Sequence, residues 1–286
     1  MIRTGRGALL ALAVLCMPAA HAQPLRTSTL LPPAAFGPFT GVARQGALLL
    51  GTAPAGTTQL TLDDMPIEVA RDGRFLIAFD RDAGPHASLV AILADGRRVT
   101  KEFDVAPGEW RIERLDRVAR TPVPDAEFER RRPAELEQIK AARLVHSDAD
   151  GWRRRFIWPA TGRISGLFGA QRIYRGEPGA YHGGVDIAKP AGAPVVAPAD
   201  GVVILAAPSP FTLEGNLLMI DHGMGLNSAF LHLSKIEVRV GDHLRQGQEI
   251  GRVGATGRAS GPHLHWAMMW QGRRIDPMRV AGAMAQ

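Results

Sequence analysis

From about Ala43 to Val105 apolar positions recur in short alternating runs broken by turn residues, the period-2 signature of half-buried strands. Ala47-Leu48-Leu49-Leu50 lies between Gly46 and Gly51, and Thr58 to Leu62 alternates polar and apolar. Arg71-Asp72-Gly73-Arg74 reads as a turn into Phe75-Leu76-Ile77-Ala78-Phe79. Leu89 to Leu93 and Val99 to Val105 flank Asp95-Gly96 as a further hairpin. Several short strands at this spacing predict a small β-sandwich. Pro122 to Pro124 ends the pattern. Phe128 to Leu144 then carries Leu136, Ile139, Ala142 and Val145 near helical spacing, with one i,i+4 ion pair, Glu127 with Arg131. So weak an amphipathic pattern predicts a linker helix that needs a packing partner. From Trp158 to Asp276-Pro277 the Gly- and Pro-punctuated strand pattern returns. The chain is therefore expected to be mainly β, with an N-terminal β-sandwich-like domain over 23–117, a helical linker over 118–157 and a second β domain over 158–286.

Composition adds to this picture at the N-terminus. The 286 residues are 45% hydrophobic and 22% charged, and the 32 glycines and 21 prolines suit turn-rich β architecture. Arg3 and Arg6, the apolar run Ala8 to Met17 and the small-x-small triplet Ala20-His21-Ala22 predict a signal peptide over 1–22, cleaved after Ala22. The run is too short to span a bilayer as a mature helix. Leu15 is bulky for processing at a lipid-modified Cys16. Cleavage removes Cys16, the only cysteine, so the mature chain is expected to have neither disulfide nor thiolate chemistry, and any metal must be held by histidine and carboxylate. The formal net charge falls from +6 to +4 as Arg3 and Arg6 leave. A mildly basic exported protein suits an anionic cell wall or lipid surface, in the periplasm or outside the cell. Arg130-Arg131-Arg132 and Arg153-Arg154-Arg155 read as solvated runs, and no nucleic-acid-reading motif accompanies them. No nucleic-acid partner is expected.

The chemistry concentrates in the second domain. Six of nine histidines lie between 182 and 265. His263-Leu264-His265 opens an apolar stretch that reads as a strand, so both imidazoles face one side. His182 and Asp186 bracket Gly183-Gly184-Val185, and even spacing on extended chain again puts two side chains on one face. Two or three imidazoles and a carboxylate suit Zn²⁺, which with three protein ligands keeps a fourth position for water. Further histidines would move protons.

The stretch from about Gly162 to Pro277 resembles the lysostaphin-like (LytM-type) zinc endopeptidases of peptidoglycan. The likeness rests on five segments in the family's order: Ser165-Gly166-Leu167-Phe168-Gly169, His182-Gly183-Gly184-Val185-Asp186-Ile187, Ile220-Asp221-His222-Gly223, Phe230-Leu231-His232-Leu233-Ser234 and Thr256 to His265. The resemblance implies an antiparallel β-sheet with an open groove over the metal. It implies zinc ligands His182, Asp186 and His265, a catalytic, non-ligating pair His232 and His263, and peptidoglycan as substrate. Phe230 stands where family members often carry tyrosine, so no phenol acts there. Tyr174 and Tyr181 are candidates for packing, substrate stacking or oxyanion assistance, and His222 and His243 for structural or surface roles.

The same residues bear on two other readings. A metal-free activator of another wall hydrolase would lack one or more of the five site residues, and all five are present. Val195 to Val203 and Val240 to Gln248 resemble the hairpins of biotinyl and lipoyl carriers, but no lysine follows Lys235. The first domain, without a catalytic constellation, reads as a spacer, an inhibitory module or a docking module for an envelope protein.

Overall fold

The computed structural model describes Met1 and residues 34–115 and 123–284, so the expected leader, apart from Met1, lies outside the described residues. The N-terminal region contains β1 (Leu48–Thr52), β2 (Thr57–Leu62), β3 (Met65–Pro66), β4 (Arg74–Ala78), β5 (His86–Leu93) and β6 (Arg98–Asp104). They form a four-stranded antiparallel sheet, β3-β2-β5-β6, and a β1-β4 pair. In β5 the alternation is complete: Ala87, Leu89, Ala91 and Leu93 are buried while the residues between them are not. Leu49, Phe75 and Ile77 bury into the same core as Leu60, Leu62 and Leu89, and Phe39 meets Phe75 and Phe103 edge-on at 5.9 and 5.2 Å. This is the sandwich the alternation predicted.

The next elements tie that region to the second. β7 (Ile112–Arg114) runs parallel to β9 (Gln171–Tyr174), which also pairs with β10 (Glu177–Pro178). Helix α1 (Asp125–Arg143) buries Ile139 and Ala142 against Ile204, Leu205, Leu217, Met219 and Ala229, the partner its weak pattern required. Leu136 and Val145 stay exposed. The ion pairing is richer than the single expected pair. Arg131 reaches Glu127 at 3.1 Å and Glu135 at 3.3 Å, and Arg132 donates twice to Glu214, at 2.6 and 2.9 Å. The arginine runs are thus only partly solvated, which corrects the sequence reading. Arg153 bonds Asp72 and Asp150 and lies 4.2 Å over the Trp152 ring. Of these partners Glu214 and Asp72 lie 82 and 81 residues away in the chain, where local charge patterning carries no signal.

The C-terminal region has β8 (Arg163–Gly166), β11 (Val185–Ala188), β12 (Pro194–Val196), β13 (Gly201–Ala206), β14 (Asn216–Asp221), β15 (Leu226–Leu233), β16 (Lys235–Ile236), β17 (His243–Leu244), β18 (Glu249–Arg252), β19 (His263–Trp270), β20 (Arg273–Ile275) and helix α2 (Pro277–Ala281). Its eight-stranded antiparallel sheet runs β17-β13-β14-β15-β19-β11-β8, with β20 on β19. Both faces of its centre are covered. Leu218, Ile220, Phe230, Trp266 and Trp270 enter the main core, while Leu217, Met219 and Ala229 meet α1. Each large side chain so buried contributes about 1.5–3 kcal/mol, and together they hold β19 rigid beneath the site.

Candidate metal centre

Antiparallel pairing sets the site's frame. β11 and β19 align so that Asp186 stands opposite His265 and Ala188 opposite His263, and directly opposed residues share a face. His263 and His265, two apart on β19, point to the same side, as the strand period predicted. His182 lies just before β11. Its N–H donates to the Ala170 carbonyl and its own carbonyl accepts from Gly169 N–H, both at 2.8 Å. Its Nδ1–H donates to the Leu167 carbonyl at 2.9 Å. Two glycines permit this crowding. A Cβ on Gly166 would collide with Asp186 Oδ2 and sit 2.8 Å from His182 Cε1, and one on Gly184 would sit 2.8 Å from His265 Nε2.

Three atoms able to ligate a metal converge. His182 Nε2 is 3.0 Å from Asp186 Oδ1 and 2.9 Å from His265 Nδ1, and His265 Nδ1 is 2.7 Å from Asp186 Oδ1. Because the proton on His182 is committed to Leu167, its Nε2 turns a lone pair toward a carboxylate oxygen, an arrangement that a cation between them stabilises. The donor set, two nitrogens and one oxygen, fits zinc. The spacing is of the order expected around a four-coordinate ion with bonds of ~2.0–2.1 Å. Burial would raise Asp186, but its close contacts with the His182 and His265 rings outweigh that and hold it well below the usual carboxylate range. Desolvation, only partly offset by Asp186, lowers His265 to about 4. Both groups are therefore held in the deprotonated state that a metal requires.

The other two predicted histidines stand beside this group. His232 and His263 have ring centroids 4.8 Å apart, and His232 is 6.1 Å from His265. Nδ1–H of His232 donates to the Thr256 carbonyl and Nδ1–H of His263 to that of Gly261, each at 2.8 Å. Among the described residues neither Nε2 has a hydrogen-bond partner, and that of His263 lies 3.8 Å from Asp186 Oδ1. Simple alternation along β15 would turn His232 away from the groove, because its neighbour Leu231 is the residue that opposes His265. A backbone φ of +64° and a register irregularity between β14 and β15 re-aim it, and the Glu214 carbonyl holds its N–H at 2.8 Å. Desolvation, followed by the fields of His265 and His263, lowers His232 to about 3.

The five residues line one open groove of about 740 Å³, whose walls include α1, β7 and the segment before His182. Arg172, which local sequence did not single out, lies 3.6 Å from Asp186 Oδ2 and from Glu113. Tyr181 lines the groove with its ring between Arg81 at 4.7 Å and Arg274 at 5.2 Å. Tyr174 is buried, with Arg258 5.4 Å over its ring. His222 is fully buried between the Asp200 carbonyl and the Ser228 hydroxyl, and His243 is exposed, each outside the ligand group.

Residues 180–277 match the sequence model of peptidase family M23. Over 124 residues the chain is 40% identical to peptidoglycan DD-endopeptidase ShyA of Vibrio cholerae, covering 43% of this chain and 28% of that protein. Over 99 residues it is 43% identical to ShyB of the same species, covering 35% and 23%. The chain thus spans about a quarter of the length of these curated relatives. A solved peptidase M23 structure from Pseudomonas aeruginosa superposes with a TM-score of 0.65 at 27% identity, over 85% of this chain and 97% of that one. The chain carries a peptidase family M23 domain.

Proposed function

We propose that this chain is an exported zinc metallo-endopeptidase that hydrolyses the peptide cross-links of peptidoglycan. The observation that carries the reading is the convergence of His182 Nε2, Asp186 Oδ1 and His265 Nδ1 in an open groove, with two further imidazoles beside them. Relatives named as peptidoglycan DD-endopeptidases support the substrate class, and the leader expected at 1–22 supports export. His182, Asp186 and His265 hold the metal. When bound, zinc supplies Lewis acidity toward a peptide carbonyl and lowers the pKa of water.

The proton chemistry falls to His232 and His263. Their Nδ1–H groups are anchored on backbone carbonyls, so each Nε2 is a fixed basic atom near the metal group. One accepts the proton of the attacking water. The other, when its Nε2 carries a proton, gives that proton to the departing amine or steadies the oxyanion. Burial keeps His232 neutral at pH 7, the form that accepts. Digestion of purified peptidoglycan with the zinc-loaded protein, followed by mass spectrometry, tests the reading. New amino and carboxyl termini within the peptides, lost on chelation and restored by zinc, are expected. Intact cross-links in the presence of stoichiometric zinc would overturn it.

A further inference from the structure

The groove holds more arginine than a metal site needs. Arg132 is neutralised by Glu214, and Arg172 lies near Glu113 and Asp186. Arg143 and Arg274 also line the groove, and among the described residues no ion pair joins either of them to a carboxylate. They come from different elements. Arg143 occupies the last turn of α1, and Arg274 on β20 stands opposite Met269 of β19. Opposed residues share a face, so Arg274 lies on the same face of β19 as Ala267 and His265. Its guanidinium lies over Tyr181 and beside Gly183, next to His182. Ala267 forms floor between the two regions, two residues or about 7 Å from His265.

The electrostatics of this pair are unbalanced. Desolvation along the groove wall, and then the positive field of Arg274, lower Arg143 from the ordinary arginine value. Glu214 is the one acid whose field reaches Arg143, and Arg132 already occupies both of its oxygens. A cation in the last turn of a helix is favourable in itself, which accounts for an arginine at 143 but not for a second one lining the same groove. Two guanidinium forks facing one groove match a carboxylate, which would accept from both and relieve their repulsion.

We propose that Arg143 and Arg274 form a carboxylate-binding subsite beside the metal group, which selects cross-linked peptides bearing free carboxylates over neutral bridges. This inference rests on the peptide-groove reading above, and the experiment separates the two. Two synthetic cross-linked peptide dimers are prepared, identical except that one carries free carboxylates and the other carboxamides. Their binding to the full-length, zinc-loaded protein carrying His263→Ala is followed by calorimetry, and their cleavage by the native protein is followed separately.

The amidated dimer should bind about tenfold more weakly than the acidic one. Arg143→Gln together with Arg274→Gln should weaken the acidic dimer by about the same factor and leave the amidated dimer within about twofold. Arg143→Gln alone, a change at a helix end, should show at least about a threefold part of the loss. A preference for the acidic dimer that survives in the double variant, no preference at all, or binding of neither dimer would overturn the subsite. Arginine-dependent binding of the acidic dimer without cleavage of either would uphold the subsite and overturn the endopeptidase reading.

Discussion

Asp80 joins two walls of the groove: its Oδ1 accepts from the Tyr181 hydroxyl at 3.3 Å and its Oδ2 from the Arg274 backbone N–H at 2.7 Å. Burial, followed by the negative field of Asp80, raises Tyr181 above the ordinary tyrosine value, so the phenol stays protonated and donates. Arg81 donates to the Gly169 carbonyl at 3.0 Å, and Gly169 N–H in turn holds the His182 carbonyl. The turn after β4 is therefore built into the site. Asp80→Ala is expected to lower stability by about 1–2 kcal/mol and turnover several-fold, with zinc content unchanged. Asp80→Asn, which keeps an acceptor, should recover much of both. Thermal unfolding, metal analysis and initial rates of peptide release check this.

Ligands and proton carriers should separate in a metal assay. Replacing His182, Asp186 or His265 with alanine should remove zinc and activity together. His263→Ala or His232→Ala should keep close to stoichiometric zinc while turnover falls by about 10²–10⁴-fold. Loss of metal in His263→Ala with cutting retained would reverse the assignment.

Gly166 offers a test by addition. A methyl group at this buried position would meet Asp186 and His182 directly. Gly166→Ala is expected to weaken zinc binding by an order of magnitude or more and to lower activity in parallel, with the circular dichroism of the sheet retained. Competition with a chelator of known affinity measures the first effect.

His222 gives the fold a pH dependence away from the metal group. Desolvation lowers it to about 4 from an ordinary value of 6.5. Between those values the unfolded chain binds the proton that the folded chain refuses, so stability rises with pH across this window and is lost as pH falls from 6.5 to 4. The ceiling is roughly 3 kcal/mol. Denaturant unfolding of zinc-free protein at pH 7 and pH 4.5 should show the loss, and His222→Gln should reduce it.

Much of this was readable in the sequence wherever the information is local. The period of two in His263-Leu264-His265 placed two imidazoles on one face, and Asp95-Gly96 marked its hairpin. The weak pattern of α1 called for a packing partner, but of Leu136, Ile139, Ala142 and Val145 only Ile139 and Ala142 meet it, and nothing local named the strands that supply it. What stayed hidden depends on contacts between distant segments. Glu214 is 82 residues from Arg132, the parallel pairing of β7 with β9 has no local signature, and Asp80 resembles any turn aspartate until Tyr181 and Arg274 meet it. The position of His232 was hidden for another reason: the family likeness pointed to the residue, but strand alternation alone would have turned it inward.

That inversion makes one stretch of the protein depend on two backbone carbonyls. A left-handed conformation at a histidine carries strain of about 1–3 kcal/mol, and here it is held by the Glu214 carbonyl at one end and the Thr256 carbonyl at the other. Were those two holds lost with the strand register kept, residue 232 would relax into the even ladder. The imidazole would then face the hydrophobic interior, in a protein with every reactive side chain present and one of them out of reach.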